Sequence, residues 1–331
     1  MSRRDAILEG AQAALRLHEQ LKSREVIETQ GGGVDVFGAL ITRHAALVFR
    51  PLDGLLGFCV KGSDIPGVVI STQRGLRIQR FTGSHELGHV VLGHTLSLDG
   101  PEILERGGES NNEIEVAADS FASAFLLPKW LLQLHARRQG WTRVDMTVPK
   151  IVYQLALRVG ASYHATCVAL ERHQVIDAAI RERLVSTPPR DIKIDLLNGY
   201  KIDKYYSDVW LLTERDEGSR IEGEPGDMFI LKLDENGGAG YLWDTAGLVE
   251  SGFAILRDTR AIPPAESGIG GSTVRELTTL HADKGQGIIE LEQTRPWDSG
   301  GSALTHLRLP FDLDGKEVGM PRAVRRLLWA A

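Results

Sequence analysis

Cysteine and long apolar runs are scarce in this sequence. The two cysteines among 331 residues, Cys59 and Cys167, lie in separate apolar segments, which indicates reduced core residues and excludes a disulfide framework. No apolar run approaches the length of a membrane-spanning helix. The N-terminal segment interrupts its apolar residues with Glu9 and Arg16, unlike the apolar core of a signal peptide. These absences predict a cytoplasmic protein with no membrane contact.

Positive charge is also in short supply. The 38 Lys and Arg residues are outnumbered by 44 Asp and Glu residues, which gives a formal net charge of -6. Direct nucleic-acid binding needs a clustered excess of Lys and Arg, so we expect none. The remaining composition is ordinary for a globular protein, with 42% hydrophobic and 25% charged residues, and the length suits two domains with separate cores.

The first part of the chain mixes helical and extended patterns. A helical pattern over residues 5–24 precedes three short β-rich segments between residues 45 and 71. Helical patterns then continue to the Ser186-Thr187-Pro188-Pro189 break. We predict an α+β domain over residues 1–189, built from helices and a small antiparallel sheet. A strand near residues 68–73 could lie at its edge and pair with an extended substrate; the alternative is that the second domain covers it.

Short apolar runs punctuated by Gly, Asp and Pro dominate beyond residue 190. This pattern is typical of an all-β domain. The final residues, from Pro321 to Trp329, have a basic amphipathic pattern, which predicts a short helical tail that docks on the rest of the chain.

The His85-Glu86-Leu87-Gly88-His89 stretch lies inside an apolar, helix-compatible run. Residues four apart on a helix project from one face, so His85 and His89 can bind a single ion. Two imidazoles suit Zn²⁺, and a carboxylate beside them, here Glu86, can take a proton from an activated water as general base. The motif therefore predicts zinc-dependent hydrolysis.

A zinc site of this kind needs a third protein ligand on a separate element. Glu115 begins a second apolar helix that ends at Pro128, where a carboxylate facing the core requires a cation. Glu113 is the alternative ligand. Only one of the two glutamates can face the site, because residues two apart on a helix point in nearly opposite directions.

Further residues are candidates to support the ligands. Asp119, one helical turn after Glu115, could hold the second ring nitrogen of a ligand histidine, with an exposed position as the alternative. His94 is expected at the surface or beside a ligand. Tyr153 or Tyr163 could donate to the oxyanion that forms at the attacked carbonyl, with a core position as the alternative.

The motif and its surroundings resemble a known family, the ImmA/IrrE metallo-endopeptidases, over roughly residues 1–185. The resemblance implies a zincin-like fold, with His85, His89 and Glu115 as zinc ligands and Glu86 as general base. The residues that carry it are Arg80-Phe81-Thr82-Gly83-Ser84-His85-Glu86-Leu87-Gly88-His89, Glu115-Val116-Ala117-Ala118-Asp119-Ser120-Phe121-Ala122 and Leu126-Leu127-Pro128.

The same resemblance implies a protein substrate. Enzymes of this family typically cleave a phage-repressor-like helix-turn-helix regulator, which relieves repression in stress response or mobile-element induction. This chain shows no helix-turn-helix pattern of its own, so the repressor would be a separate partner. At position 117 the family's usual acidic residue is replaced by Ala117, which favours Glu115 as the ligand.

Three glycine-rich or rigid loops in the second half resemble those of the chagasin family of cysteine-peptidase inhibitors. The resemblance implies an immunoglobulin-like sandwich over residues 208–315, with a connecting segment at 190–207 before it and the helical tail at 316–331 after it. It also implies loops that gather at one end and insert into a papain-type cleft. The candidate loop residues are Asn236, Gly240, Tyr241, Gly268, Gly270, Gly271, Arg295, Pro296 and Trp297.

The first loop departs from the family pattern, because Gly237-Gly238-Ala239 replaces the usual Pro-Thr-Thr. Losing the rigid proline and the hydroxyl groups weakens the expectation of inhibition. The β domain could inhibit a cysteine peptidase, recruit the substrate of the zinc domain, or restrain the zinc site. We predict a zinc endopeptidase with an attached binding domain; the alternative is an inhibitor or sensor protein whose zinc domain has little turnover.

Overall fold

Helices and one small sheet form the N-terminal half of the chain. The computed structural model describes residues 2–60, 65–94, 96–99, 112–200, 206–261, 273–298 and 300–330. The helices of this half are α1 (Arg3–Leu21), α2 (Ser23–Gln30), α3 (Val36–Thr42), α4 (Leu76–Leu92), α5 (Glu113–Leu126), α6 (Lys129–Gln139), α7 (Pro149–Val159), α8 (Tyr163–Arg172), α9 (Ala178–Val185) and α10 (Pro189–Leu197). Its strands are β1 (Ala46–Arg50), β2 (Gly57–Val60), β3 (Gly67–Ser71) and β4 (Leu96–Asp99).

The small sheet has the strand order β1-β3-β2-β4. β3 pairs in parallel with β1 and antiparallel with β2, and β4 pairs antiparallel with β2. The sheet is therefore mixed rather than purely antiparallel. The expectation of an edge strand at residues 68–73 is wrong, because β1 and β2 occupy both sides of β3. Val68 and Ile70 are fully buried there, and a short apolar run predicts a strand without predicting its neighbours.

Helices α4 and α5 lie side by side in the core of this half. Gly88 permits their close approach, because a Cβ atom at this position would lie 3.2 Å from both the Cα of Ala118 and the Cβ of Phe121. Phe121 and Phe125 of α5 are fully buried, and α5 also packs along α1. The contact between α4 and α5 brings the two sequence segments of the predicted metal site together.

Both cysteines lie in the core of the N-terminal half. Cys59 on β2 and Cys167 on α8 are buried, and neither forms a disulfide. This confirms their interpretation as reduced core residues.

Strands dominate the C-terminal half: β5 (Val209–Leu212), β6 (Ile221–Glu222), β7 (Met228–Glu235), β8 (Leu242–Asp244), β9 (Ala254–Ala261), β10 (Thr273–Leu280), β11 (Gln286–Thr294) and β12 (Thr305–Asp312). They form two sheets with the orders β5-β7-β10-β9 and β6-β12-β11-β8. Helix α11 (Ala246–Glu250) interrupts the strands and α12 (Arg322–Ala330) follows them. The predicted fold class, an α+β zincin-like domain followed by an immunoglobulin-like sandwich, is confirmed. Among the residues that the structure describes, no helix is both long and apolar enough to cross a membrane.

A buried ion pair joins the two halves. Arg158 on α7 donates from Nε and Nη2 to the two carboxylate oxygens of Asp216, which follows β5, at 2.9 Å each. Gln139 at the end of α6 donates to the same carboxylate at 2.7 Å. Arg158 is 5% and Asp216 1% exposed, so water cannot solvate either charge if its partner is lost.

Asp216→Ala is expected to lower the free energy of unfolding by about 3 to 5 kcal/mol, because Arg158 would stay buried without its counter-charge. Urea denaturation followed by circular dichroism measures this loss. The matched control is Glu290→Ala, since Glu290 pairs with Arg308 at 3.2 Å and both side chains are more than half exposed. Its loss should stay below about 1 kcal/mol. Equal losses in the two variants would contradict a role for the buried pair.

Candidate metal centre

Helix α4 carries the predicted metal motif and is buried along most of its length. From Gln79 to His89 every residue except Phe81 is buried. Seven of these buried side chains are polar or charged. Buried polar groups need hydrogen-bonding or ionic partners, so the contacts of these side chains indicate what the helix can do.

Two histidines of α4 and one glutamate of α5 converge. The Nε2 atoms of His85 and His89 lie 3.0 Å apart. The carboxylate of Glu115 places Oε2 at 3.3 Å from Nε2 of His85 and Oε1 at 3.8 Å from Nε2 of His89. One ligand atom from each of the three residues lies within 4.8 Å of the others. Two imidazole nitrogens and a carboxylate oxygen at this spacing match the donor set of a catalytic zinc site.

The second ring nitrogen of His85 also faces α5. Its Nδ1 lies 2.9 Å from Oδ1 of Asp119, so the structure brings Asp119 to the position expected of a supporting residue. A carboxylate at this distance favours the ring proton on Nδ1, which leaves the Nε2 lone pair for an ion. Burial, and then the nearby His85, lowers the pKa of His89 to about 3. The His89 ring is therefore neutral at pH 7, which is the form that binds a metal.

Glu86 follows His85 on α4 and is fully buried. Its carboxylate faces β2, since a Cβ atom at Gly57 would lie 3.1 Å from Oε1 of Glu86. The side chain therefore lies between the helix and the small sheet. Its place in the motif is that of the general base in zinc peptidases.

The two candidate tyrosines have hydrogen-bond partners elsewhere. Tyr153 donates to Oδ1 of Asp208 at 2.7 Å, and Asp208 also pairs with Arg77 of α4. Tyr163 donates to the backbone carbonyl of Leu184 at 2.9 Å. Burial raises the pKa of both hydroxyl groups. The structure does not bring either tyrosine to the histidines, so the core position given as the alternative applies to both.

The β-rich half holds the first turn of α4. Oε1 of Glu224 accepts a hydrogen bond from the backbone nitrogen of Leu76 at 3.0 Å. Nη1 of Arg80 donates to Oε2 of Glu222 at 2.7 Å. These contacts could not be predicted from the sequence, because the partners are 148 and 142 positions apart. No local pattern connects residues at such separations.

Two of the three predicted loops lie together at one end of the sandwich. The guanidinium group of Arg295 lies 4.5 Å from the ring centroid of Tyr241. The indole of Trp297 covers Gly240, where a Cβ atom would lie 2.4 Å from the ring. Trp297 is nevertheless 72% exposed. The third loop, with Gly268, Gly270 and Gly271, lies outside the residues that the structure describes.

Both described loops are tight turns. The backbone carbonyl of Asn236 accepts hydrogen bonds from the nitrogens of Ala239 and Tyr241 at 3.0 and 3.2 Å. Pro296 lies inside a second turn, which is closed by a hydrogen bond from Asp298 to the carbonyl of Arg295 at 3.0 Å. Hydrogen-bonded turns limit the conformations of a loop, so less ordering is needed when it binds a partner.

Fold and site together define the class of this protein. A helix with a His-Glu-x-x-His motif, a glutamate from the next helix and a small adjoining sheet form a zincin-like fold with a candidate metal site, and an immunoglobulin-like sandwich with clustered loops follows. Residues 50–171 match the family model of the IrrE N-terminal-like domain, peptidase family M78. Residues 224–309 match the chagasin family of peptidase inhibitors, I42. The chain thus carries an IrrE-like domain followed by a chagasin-like domain.

Individual known proteins match about one third of the chain. Amoebiasin-2 of Entamoeba histolytica is 27% identical over 103 residues, which are 31% of this chain and 83% of that protein. The crystal structure of the cysteine protease inhibitor EhICP2 from Entamoeba histolytica is 25% identical, with a TM-score of 0.30, and covers 33% of this chain and 97% of that one. The solution structure of Amebosin is 20% identical, with a TM-score of 0.27, and covers 32% of this chain and 97% of that one.

Glu115→Ala should remove metal binding, whereas Glu113→Ala should not. Glu115 points at the histidine nitrogens, and Glu113 projects from a different side of the same helix. Competition against a chromophoric chelator measures the zinc affinity of the full chain. We expect wild-type affinity for Glu113→Ala and a loss beyond about 100-fold for Glu115→Ala, because a lost ligand costs more than a lost supporting residue. The same affinity in both variants would contradict Glu115 as a ligand.

Proposed function

We propose that the chain is a zinc-dependent endopeptidase that hydrolyses one or a few bonds of a specific protein. The observation that carries this proposal is the convergence of His85, His89 and Glu115 within 4.8 Å, with Glu86 next to His85 on the same helix. The match of residues 50–171 to the IrrE-like domain supports it.

The roles of the residues follow from their chemistry. A Zn²⁺ ion held by His85, His89 and Glu115 would polarise the scissile carbonyl and lower the pKa of a water molecule. Glu86 would take the proton from the attacking water and pass it to the leaving amine. Asp119 would hold the His85 ring so that Nε2 faces the ion.

The proposed substrate is a separate helix-turn-helix transcriptional repressor, cleaved in stress response or mobile-element regulation. Its support is the resemblance of residues 1–185 to the ImmA/IrrE family. The chagasin-like domain would recognise a protein partner through the loops that contain Tyr241 and Trp297. A cytoplasmic location belongs to the same proposal, because a repressor acts on DNA.

Glu86→Gln is expected to keep zinc bound and to lower the rate of cleavage by about 10² to 10⁴, the usual contribution of a general base. The measurement is cleavage of a candidate helix-turn-helix repressor, sought first among the products of the genes beside this chain's own, after co-expression and with the purified proteins, followed by gel electrophoresis and mass spectrometry. Zinc content is determined on the same preparations. A variant that retains zinc and cuts at the wild-type rate would refute the role of Glu86.

Inhibition of a papain-type cysteine peptidase is a second candidate function. The observation that favours it is the exposed Trp297, which packs on Gly240 beside the stacked pair of Arg295 and Tyr241. Large aromatic side chains supported in this way are frequent anchors of protein interfaces. The match to the chagasin family supports the same candidate. The Gly237-Gly238-Ala239 loop supplies no side-chain hydroxyl to a cleft, so we expect weak inhibition.

Trp297→Ala should weaken inhibition of papain by the full chain by about 2 kcal/mol, or roughly 30-fold, if the indole is an interface anchor. Tyr206→Ala is the matched control, because Tyr206 is another exposed aromatic, at 78%, and precedes β5 at the other end of the sandwich. Inhibition constants from a fluorogenic peptide assay compare the two variants. If the wild-type chain does not inhibit papain at micromolar concentration, this second function is excluded.

A further inference from the structure

The two candidate ligand histidines, His85 and His89, have the same requirement at Nδ1, the ring nitrogen that would not bind the ion. A histidine that binds an ion through Nε2 must carry its proton on Nδ1. That Nδ1–H group is buried and needs an acceptor. For His85, Oδ1 of Asp119 lies 2.9 Å from this nitrogen. His89 needs an equivalent partner.

His94 is in the place of that partner. Nδ1 of His94 lies 2.8 Å from Nδ1 of His89, which is hydrogen-bond distance. The two rings have centroids 4.9 Å apart and planes inclined by 64°. Only one of two facing ring nitrogens can carry the proton between them. Since Nε2 of His89 faces His85 and Glu115, the proton belongs on Nδ1 of His89, and Nδ1 of His94 accepts it.

The end of α4 explains how His94 reaches this place. Gly93 ends the helix with φ 76°, a left-handed conformation that glycine adopts readily. The chain then folds back, and the backbone nitrogen of His94 donates to the carbonyl of His89 at 3.0 Å. This helix-ending turn places the His94 ring beside the His89 ring, with the two Nδ1 atoms facing each other.

We propose that His94 is a positioning residue of the metal centre: its Nδ1 accepts a hydrogen bond from Nδ1 of His89 and holds the His89 ring in the tautomer that offers Nε2 to the ion. His94 thus does for His89 what Asp119 does for His85. One acceptor comes from α5 and the other from the turn that ends α4. The inference rests on the metal centre of the proposed function, but not on the identity of its substrate.

The test is the zinc affinity of the full chain, stripped of metal and titrated with zinc sulfate against a chromophoric chelator. His94→Ala should lower the affinity by about 10- to 100-fold, the usual effect of removing a partner of a metal-bound histidine. His94→Asn should restore most of this loss, because the asparagine carbonyl oxygen can occupy the position of Nδ1. His94→Gln should restore less, since its carbonyl reaches the position of Nε2 instead.

Two controls separate positioning from general stability. His164→Ala removes an exposed histidine on α8 and should leave zinc affinity unchanged. The metal-free His94→Ala and His94→Asn variants should both remain folded in the titration buffer, as circular dichroism checks. Substitution with Co²⁺ provides a spectroscopic readout, because His94→Ala should alter the ligand-field absorption and His94→Asn should preserve it.

The outcomes distinguish this inference from the proposed function. Zinc affinity of His94→Ala within twofold of wild type, or an equal loss in His94→Ala and His94→Asn, would overturn the role of His94 and leave the metal centre intact. A wild-type chain that binds no zinc would overturn the proposed function, and this inference with it.

Discussion

The burial of a polar helix is the constraint on which the rest of the structure depends. A buried polar group without a partner lowers the stability of the fold by about 1 to 3 kcal/mol. Seven polar side chains of α4 are buried between Gln79 and His89. Neighbouring elements supply such partners at both ends of the helix. At its C-terminal end those partners are Glu115, Asp119 and His94. They leave two imidazole nitrogens and a carboxylate directed at one another, which is an arrangement suited to a cation.

At the N-terminal end of α4, the buried polar side chains find their partners in the C-terminal half of the chain. Gln79 donates to the backbone carbonyl of Glu317 at 3.0 Å and accepts from its nitrogen at 2.7 Å. Arg80, only 6% exposed, reaches the carboxylate of Glu222. The C-terminal half of the chain therefore packs directly on α4, through Glu222 and Glu317, and is not joined to it by a linker alone. Its attachment contributes to the position of a helix whose other end carries the candidate ligands.

The parts of the fold and of the candidate site that can be predicted from the sequence are those that depend on local patterns. The His85–His89 spacing depends only on helix periodicity, and Glu115 is recognisable because it lies in the first turn of an apolar helix, so the components of the candidate site follow from the sequence. The role of Tyr153 does not, since its partner Asp208 lies 55 positions away and a buried tyrosine has the same local sequence whichever acceptor it meets. The position of β3 inside its sheet cannot be predicted for a similar reason, because strand pairing depends on segments that are remote in sequence.

The topology of the sandwich bears on what the second domain can do. Met228 at the start of β7 pairs with Val209, beside the contacts to α4, whereas Glu235 at its end pairs with Thr273, beside the loops. The strand has eight residues, so its two ends lie about 23 Å apart at about 3.3 Å per residue. The attachment to α4 and the exposed Trp297 therefore use opposite ends of one rigid element. A partner on the loops would not need the surface that holds α4, which favours recognition of a separate protein over restraint of the candidate metal site by these loops.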